Sequence, residues 1–77
     1  MKTKYLDFRF VEQLPKTKVW EVCSNVSYIR LGLIKWFGKW RQYAFFPEQG
    51  TVFNHQCLED IYEFIKYENE IRKPNPQ

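Results

Sequence analysis

The chain has 77 residues, a net charge of +3 and an aromatic content of 19%. A chain of this length forms one small domain, and so modest a charge does not by itself indicate nucleic-acid binding. The N-terminal residues MKTKYLDFRF contain Asp7 and Arg9, which interrupt any apolar run, so we expect neither a signal peptide nor a membrane span and place the protein in the cytoplasm.

Four segments have the alternation of side chains that is typical of β-strands. They are residues 5–11, 18–24, 30–37 and about 40–46. The run FGKW between the last two predicts a turn that pairs them as an antiparallel hairpin. Gly32 lies inside the third strand, where it indicates a bulge or a close approach of another backbone. Residues 51–53 are expected to add a short extended piece.

A helix is predicted after Asn54, whose side chain suits an N-cap, and it is expected to end near Arg72 and Lys73. Its apolar stripe is predicted to consist of Leu58, Ile61, Tyr62 and Ile65, with Cys57 and Phe64 at the margins. The acidic side chains of the helix are interpreted as a solvated face. Residues 1–73 therefore form one predicted domain, and residues 74–77 form a predicted disordered tail.

The predicted fold class is α+β, a small antiparallel sheet of three to four strands packed on one C-terminal helix. One helix covers only one face of such a sheet. Yet both faces of the third and fourth strands are apolar or aromatic, since Ile34 and Trp36 oppose Leu33 and Phe37. We therefore expect the ring-rich face of the sheet that the helix leaves exposed to be covered by another part of the chain or by a partner.

Three explanations remain open for that face. Residues 4–14 fold over it, or its rings pack on one another beneath Lys and Arg stems. Alternatively, it binds a protein partner, with a second copy of the chain as a further candidate. Finally, it binds single-stranded nucleic acid, with bases stacked on rings and phosphates held by cations.

The hairpin region holds the candidate binding residues, because cations and rings alternate there. They are Arg30, Lys35, Trp36, Lys39, Trp40, Arg41 and Tyr43. Residues 1–50 carry nine of the twelve cations but only four of the nine acidic residues. If Glu21 and Glu48 pair with the strand cations, the patch is largely neutralised and a protein partner is favoured over nucleic acid.

Nothing in the sequence predicts an enzyme, a cofactor or a metal site. The single histidine, His55, falls in the first turn of the helix, where it is interpreted as a surface residue. Cys23 and Cys57 lack the close spacing of zinc ligands, and we expect two buried thiols rather than a disulfide. The three glycines form no phosphate-binding loop.

The run LGLIKWFGKWRQYAFFPEQGTVFNHQCLEDIYEFI, preceded by KTKVWEV, carries a family resemblance. It resembles a group of very small bacteriophage and prophage proteins that share the pattern LGxIKWxGxWRQYxFFP, then TVF, then CLxDIxxFI. The similarity spans about residues 16–65. The shorter members of this group lack a segment equivalent to residues 4–14, which is expected to cover or extend the sheet.

The resemblance implies the biological context in which the protein acts, but it implies no reaction that the protein catalyses. Small phage proteins often act by occupying a surface of a host machine, such as a defence nuclease. It therefore implies a non-catalytic binding module in the cytoplasm of a bacterial host, with a host or phage protein as partner.

Overall fold

Four consecutive strands form the sheet, and a single helix follows them. The computed structural model describes residues 1–72, with elements β1 (Leu6–Gln13), β2 (Lys18–Ser24), β3 (Arg30–Phe37), β4 (Gln42–Pro47) and α1 (His55–Arg72). The strands lie in the order β1-β2-β3-β4, and each neighbouring pair is antiparallel. The α+β class is confirmed. Residues 51–53 form no strand, and the predicted tail at 74–77 lies outside the described residues.

The core lies between α1 and one face of the sheet, which we call the helix-covered face. Phe64 of α1 stacks on Phe8 of β1, with ring centroids 4.5 Å apart, and meets Trp20 of β2 edge-on at 5.1 Å. Trp20 in turn contacts Tyr43 of β4 edge-on at 5.3 Å. This chain of rings crosses the sheet, and aliphatic side chains such as Leu6, Val22 and Ile34 complete the core around it.

The buried stripe of α1 differs from the predicted one. Cys57, Ile61 and Phe64 are buried, whereas Leu58 and Tyr62 are more than half exposed. The apolar residues of α1 cover more of the helix circumference than the contact with the sheet can bury. Because Phe64 packs between Phe8 and Trp20, the side of the helix that carries Cys57 faces the sheet. The helix start is confirmed, because the Cys57 N–H donates to Asn54 Oδ1 at 2.8 Å.

The opposite face of the sheet, which we call the open face, has no helix on it. Residues 4–14 do not fold over this face, as one explanation required. Instead β1 extends the sheet at its edge by pairing with β2. The chain start then doubles back on β1, since the Phe8 N–H donates to the Met1 carbonyl at 2.7 Å. Edge pairing satisfies the strand's backbone groups, which a cover would leave unpaired.

Gly32 is required by close packing in β3. A Cβ placed on Gly32 would lie 2.6 Å from the Phe45 ring and 2.7 Å from the Phe46 carbonyl oxygen. The register between β2 and β3 also shifts beside it, between Val22 and Cys23. Both the bulge and the close approach predicted from this glycine are therefore present.

Candidate binding site at the basic end of the sheet

The topology gathers cations at one end of the molecule. β1 and β3 run toward this end, so the loop at 14–17, the turn at 38–41 and the C-terminal end of α1 meet there. Arg72 lines two neighbouring depressions, one shared with Lys16 and Lys18 and the other with Arg41. We call this region the basic end. Its cations are Lys16, Lys18, Lys39, Arg41 and Arg72.

Trp40 is the most prominent ring of the basic end. It lies in the turn between β3 and β4 and is 65% exposed. Its ring rests edge-on against Phe37, with centroids 4.8 Å apart. The indole is therefore supported on one side while most of its surface faces water. A large exposed ring on a short turn is typical of a contact residue.

The turn itself stores conformational strain at Arg41. The Arg41 N–H donates to the Phe37 carbonyl at 2.9 Å, and the Arg41 φ is +55°. A side chain in this left-handed region costs about 1–2 kcal/mol relative to a right-handed conformation. Glycine would suit the position better, and Tyr28 adopts the same region, with a φ of +63°, in the loop between β2 and β3.

Between the turn and the end of α1 lies an open cleft of about 640 Å³, which we call the Arg72 cleft. Its lining residues are Trp36, Gly38, Trp40, Arg41, Gln42, Asn69 and Arg72. The Arg72 guanidinium stacks over the Trp36 ring at 4.2 Å. This cation–π contact holds the guanidinium against the sheet without neutralising its charge.

Two hydrogen bonds fix the geometry of the cleft. The Tyr43 N–H donates to Asn69 Oδ1 at 2.8 Å, and the Tyr43 hydroxyl accepts from the Lys18 N–H at 3.1 Å. Tyr43 is only 4% exposed. Its role in the structure is thus to connect β4 to α1 and to β2, and its ring is not available at the surface.

Ion pairs neutralise some of the predicted cations but not those of the basic end. Arg30 Nε lies 3.2 Å from Glu48 Oε2, as the neutralisation hypothesis expected for Glu48. Lys35 lies over the Phe46 ring at 4.8 Å, on the open face. Within residues 1–72, Lys39, Arg41 and Arg72 take part in no ion pair. Of the predicted cations, Lys35, Lys39 and Arg41 thus lie outside ion pairs within residues 1–72, and the last two belong to the basic end.

The open face is less exposed than its sequence suggests. Phe37 contacts both Trp40 and Phe46 edge-on, and the Lys35 stem lies across Phe46. Leu33, Phe37 and Phe46 are consequently only partly exposed. Packing of rings on one another beneath a lysine stem, one of the three explanations for this face, accounts for much of its apolar surface.

The structure brings together only part of the predicted site. Trp36, Trp40 and Arg41 line the Arg72 cleft, and Lys39 lies in the adjoining turn. The other three predicted residues lie elsewhere: Arg30 at the far end of β3, Lys35 on the open face, and Tyr43 in the core. Sequence reasoning missed Gln42, Asn69 and Arg72, since only the packing of α1 across the sheet places them beside the turn.

Neither of the two cysteine thiols is exposed. Cys23 and Cys57 are free and buried, as predicted. Burial, reinforced by the nearby Glu21 carboxylate, raises the pKa of the Cys23 thiol, so it stays protonated at neutral pH. In residues 1–72, no three His, Cys, Asp or Glu side chains are grouped to hold a metal ion. Over the same residues, no helix combines the length and apolar character needed to cross a bilayer.

The fold and site define a small α+β protein with a basic, ring-bearing end. The chain is 36% identical over 73 residues to a protein of Acholeplasma phage L2 described as an uncharacterized 9.3 kDa protein, and the similarity covers 92% of each chain. This chain therefore belongs to the same family of small phage proteins, which confirms the phage character of the resemblance. No protein-family model and no solved structure matches the chain.

Proposed function

We propose that this protein is a non-catalytic binding module that acts in the cytoplasm of a bacterial host. Its basic end engages a host or phage protein, and occupying that partner's surface inhibits a host machine such as a defence enzyme. The observation that carries the proposal is Trp40, a 65% exposed indole on a turn between Lys39 and Arg41. Trp and Arg are the residue types that dominate the energetics of protein interfaces.

The exposure of Trp40 argues for contact rather than for folding. A core indole would be buried among apolar side chains, whereas this one touches Phe37 on one edge and otherwise faces water. In a chain this small, an aromatic ring stabilises the fold more when it is buried in the core than when it is exposed. A ring left at the apex of a hairpin and flanked by two cations matches the anchor residue of an interface.

Direct binding of single-stranded nucleic acid is the second candidate function. It is favoured by the lack of ion pairs at Lys39, Arg41 and Arg72 within the described residues. Exposed rings would stack on bases while these cations met phosphates. Such binding would weaken steeply as salt rises.

Affinity purification of the tagged protein from host cells, with and without nuclease, separates the two candidates. Trp40→Ala should lose the captured protein, whereas Tyr28→Ala should retain it, because Tyr28 is 67% exposed but lies in the loop between β2 and β3 at the opposite end. Capture that survives nuclease and requires Trp40 supports a protein partner. Capture that nuclease abolishes supports nucleic acid, and capture indifferent to Trp40 contradicts the assignment of the site.

A further inference from the structure

The Arg72 side chain has an unusual environment. Its Nε atom is buried and has no hydrogen-bond partner among residues 1–72. Buried polar atoms normally have such partners, and a charged one without them carries a free-energy cost. Stacking on Trp36 at 4.2 Å holds the guanidinium in place, yet stacking satisfies none of its N–H donors. The Arg72 side chain is thus held in place, but its Nε–H has no acceptor among residues 1–72.

Other residues that carry N–H donors line the same cleft, among them Arg41 and Gln42. Asn69 Oδ1 already accepts from the Tyr43 N–H, which leaves the Asn69 amide N–H groups as donors. Among residues 1–72, no carboxylate lines this cleft. A site with several donors and two cations but no acid is complementary to an oxyanion.

We propose that the Arg72 cleft binds a single side-chain carboxylate of the partner protein. This inference rests on the proposed function and names the chemistry that the partner supplies. The planar fork of Arg72 matches a carboxylate, which would supply the hydrogen bonds that the side chain lacks.

The surroundings of the cleft favour a single carboxylate over a nucleic-acid strand. Glu68 lines the depression that shares Arg72 on one side, and Glu70 lines the depression that shares Gln42 and Asn69 on the other. A strand of phosphates running across this end would pass these two carboxylates as well as Lys16, Lys18 and Lys66, whereas a single acidic side chain entering the cleft would meet, within the described residues, only cations and neutral donors.

The test is an NMR titration of the full-length ¹⁵N-labelled protein with a short end-blocked peptide whose only charged side chain is one Glu. We expect saturable shifts of the Arg72 Nε–H, the Trp36 indole N–H and the Asn69 side-chain amide. Arg72→Gln should weaken binding by about tenfold or more. Arg72→Lys should recover only part of the affinity, because it retains the charge without the fork.

Arg30→Gln is the matched control, since Arg30 is an arginine at the opposite end that already pairs with Glu48. It should bind the peptide as the wild type does, and backbone amide spectra should show every variant folded. The proposal is overturned if the peptide causes no saturable shift, or if Arg30→Gln and Arg72→Gln weaken binding equally.

The same NMR titration is repeated with inorganic phosphate and with a single-stranded oligothymidine. Tighter, salt-sensitive binding of the oligonucleotide through the same signals would also overturn the carboxylate proposal, in favour of nucleic acid. A peptide that fails to bind, while Trp40 remains essential for nuclease-resistant protein capture, would contradict this inference and leave the proposed function intact.

Discussion

The Tyr43 N–H donates to Asn69 Oδ1 at 2.8 Å and so joins the edge strand β4 to the last turns of α1. This N–H points to the free edge of β4, where no further strand of the sheet lies, and Asn69 takes the place of a strand partner. The pair positions both the core ring of Tyr43 and the wall of the Arg72 cleft. Stability and site geometry therefore depend on the same contact.

Asn69→Ala should lower the free energy of unfolding by about 1–3 kcal/mol, because it leaves the partly buried Tyr43 N–H without an acceptor. Urea denaturation measures this difference. Asn69→Asp keeps an acceptor at the same position and should be close to the wild type at neutral pH. If the alanine and aspartate variants are equally stable, the hydrogen bond does not contribute as described.

Gly32→Ala should destabilise the protein by about 1–3 kcal/mol through overpacking, because the new methyl group would overlap the Phe45 ring and the Phe46 carbonyl. Gly38→Ala is the matched control, since nothing lies within 4 Å of a Cβ at that position. Thermal unfolding should place the Gly38 variant near the wild type. A Gly32 variant of wild-type stability would show that β3 and β4 are less closely packed than described.

Arg41→Gly should raise the free energy of unfolding by about 0.5–1 kcal/mol, because glycine adopts a φ of +55° without strain but loses more entropy on folding. The same change should weaken partner binding by removing a guanidinium of the basic end. Tyr28→Gly, at a φ of +63° in the opposite loop, should stabilise the protein without affecting binding. If Arg41→Gly left binding unchanged, the Arg41 guanidinium would not contact the partner.

Glu68 should make stability fall as pH rises. Burial raises the pKa of its carboxyl from the ordinary value of 4.5, partly offset by Lys18, so the folded chain holds this proton more tightly than the unfolded chain. Its contribution to the free energy of unfolding is therefore largest below pH 4.5 and is lost as pH rises through the raised pKa.

Glu68→Gln should consequently be more stable than the wild type at neutral pH, with the difference disappearing below pH 4.5. Chemical denaturation at several pH values tests this. Glu63→Gln, at an exposed position of the same helix, controls for a general effect of removing one negative charge. A pH-independent difference would mean that the Glu68 proton is not involved.

The strands were readily predicted from the sequence because alternation depends only on neighbouring residues. Ile34 and Trp36 were correctly placed on one face, opposite Leu33 and Phe37. The prediction for the buried stripe of α1 was right at Ile61 but wrong at Leu58 and Tyr62, because Leu58 and Cys57 both fit a helical period and only the sheet rings that receive Phe64 distinguish them. Local pattern cannot choose between two adjacent helix faces.

The site was only partly predictable for a related reason. Trp36, Trp40 and Arg41 are close in sequence, so their proximity follows from the hairpin. Arg72 is more than thirty residues away, and its stacking on Trp36 depends on where α1 crosses the sheet and on its length. From the sequence alone, Arg72 is interpretable only as a favourable cation at a helix C-terminus.

The central claim is that the basic end contacts a protein, and photo-crosslinking tests it most directly. A photoreactive phenylalanine analogue at position 40 or position 28 compares two rings of nearly equal exposure at opposite ends of the molecule. In nuclease-treated host cells, we predict a discrete protein adduct from position 40 and none from position 28. The same adduct from both positions, or none from position 40, would contradict the account.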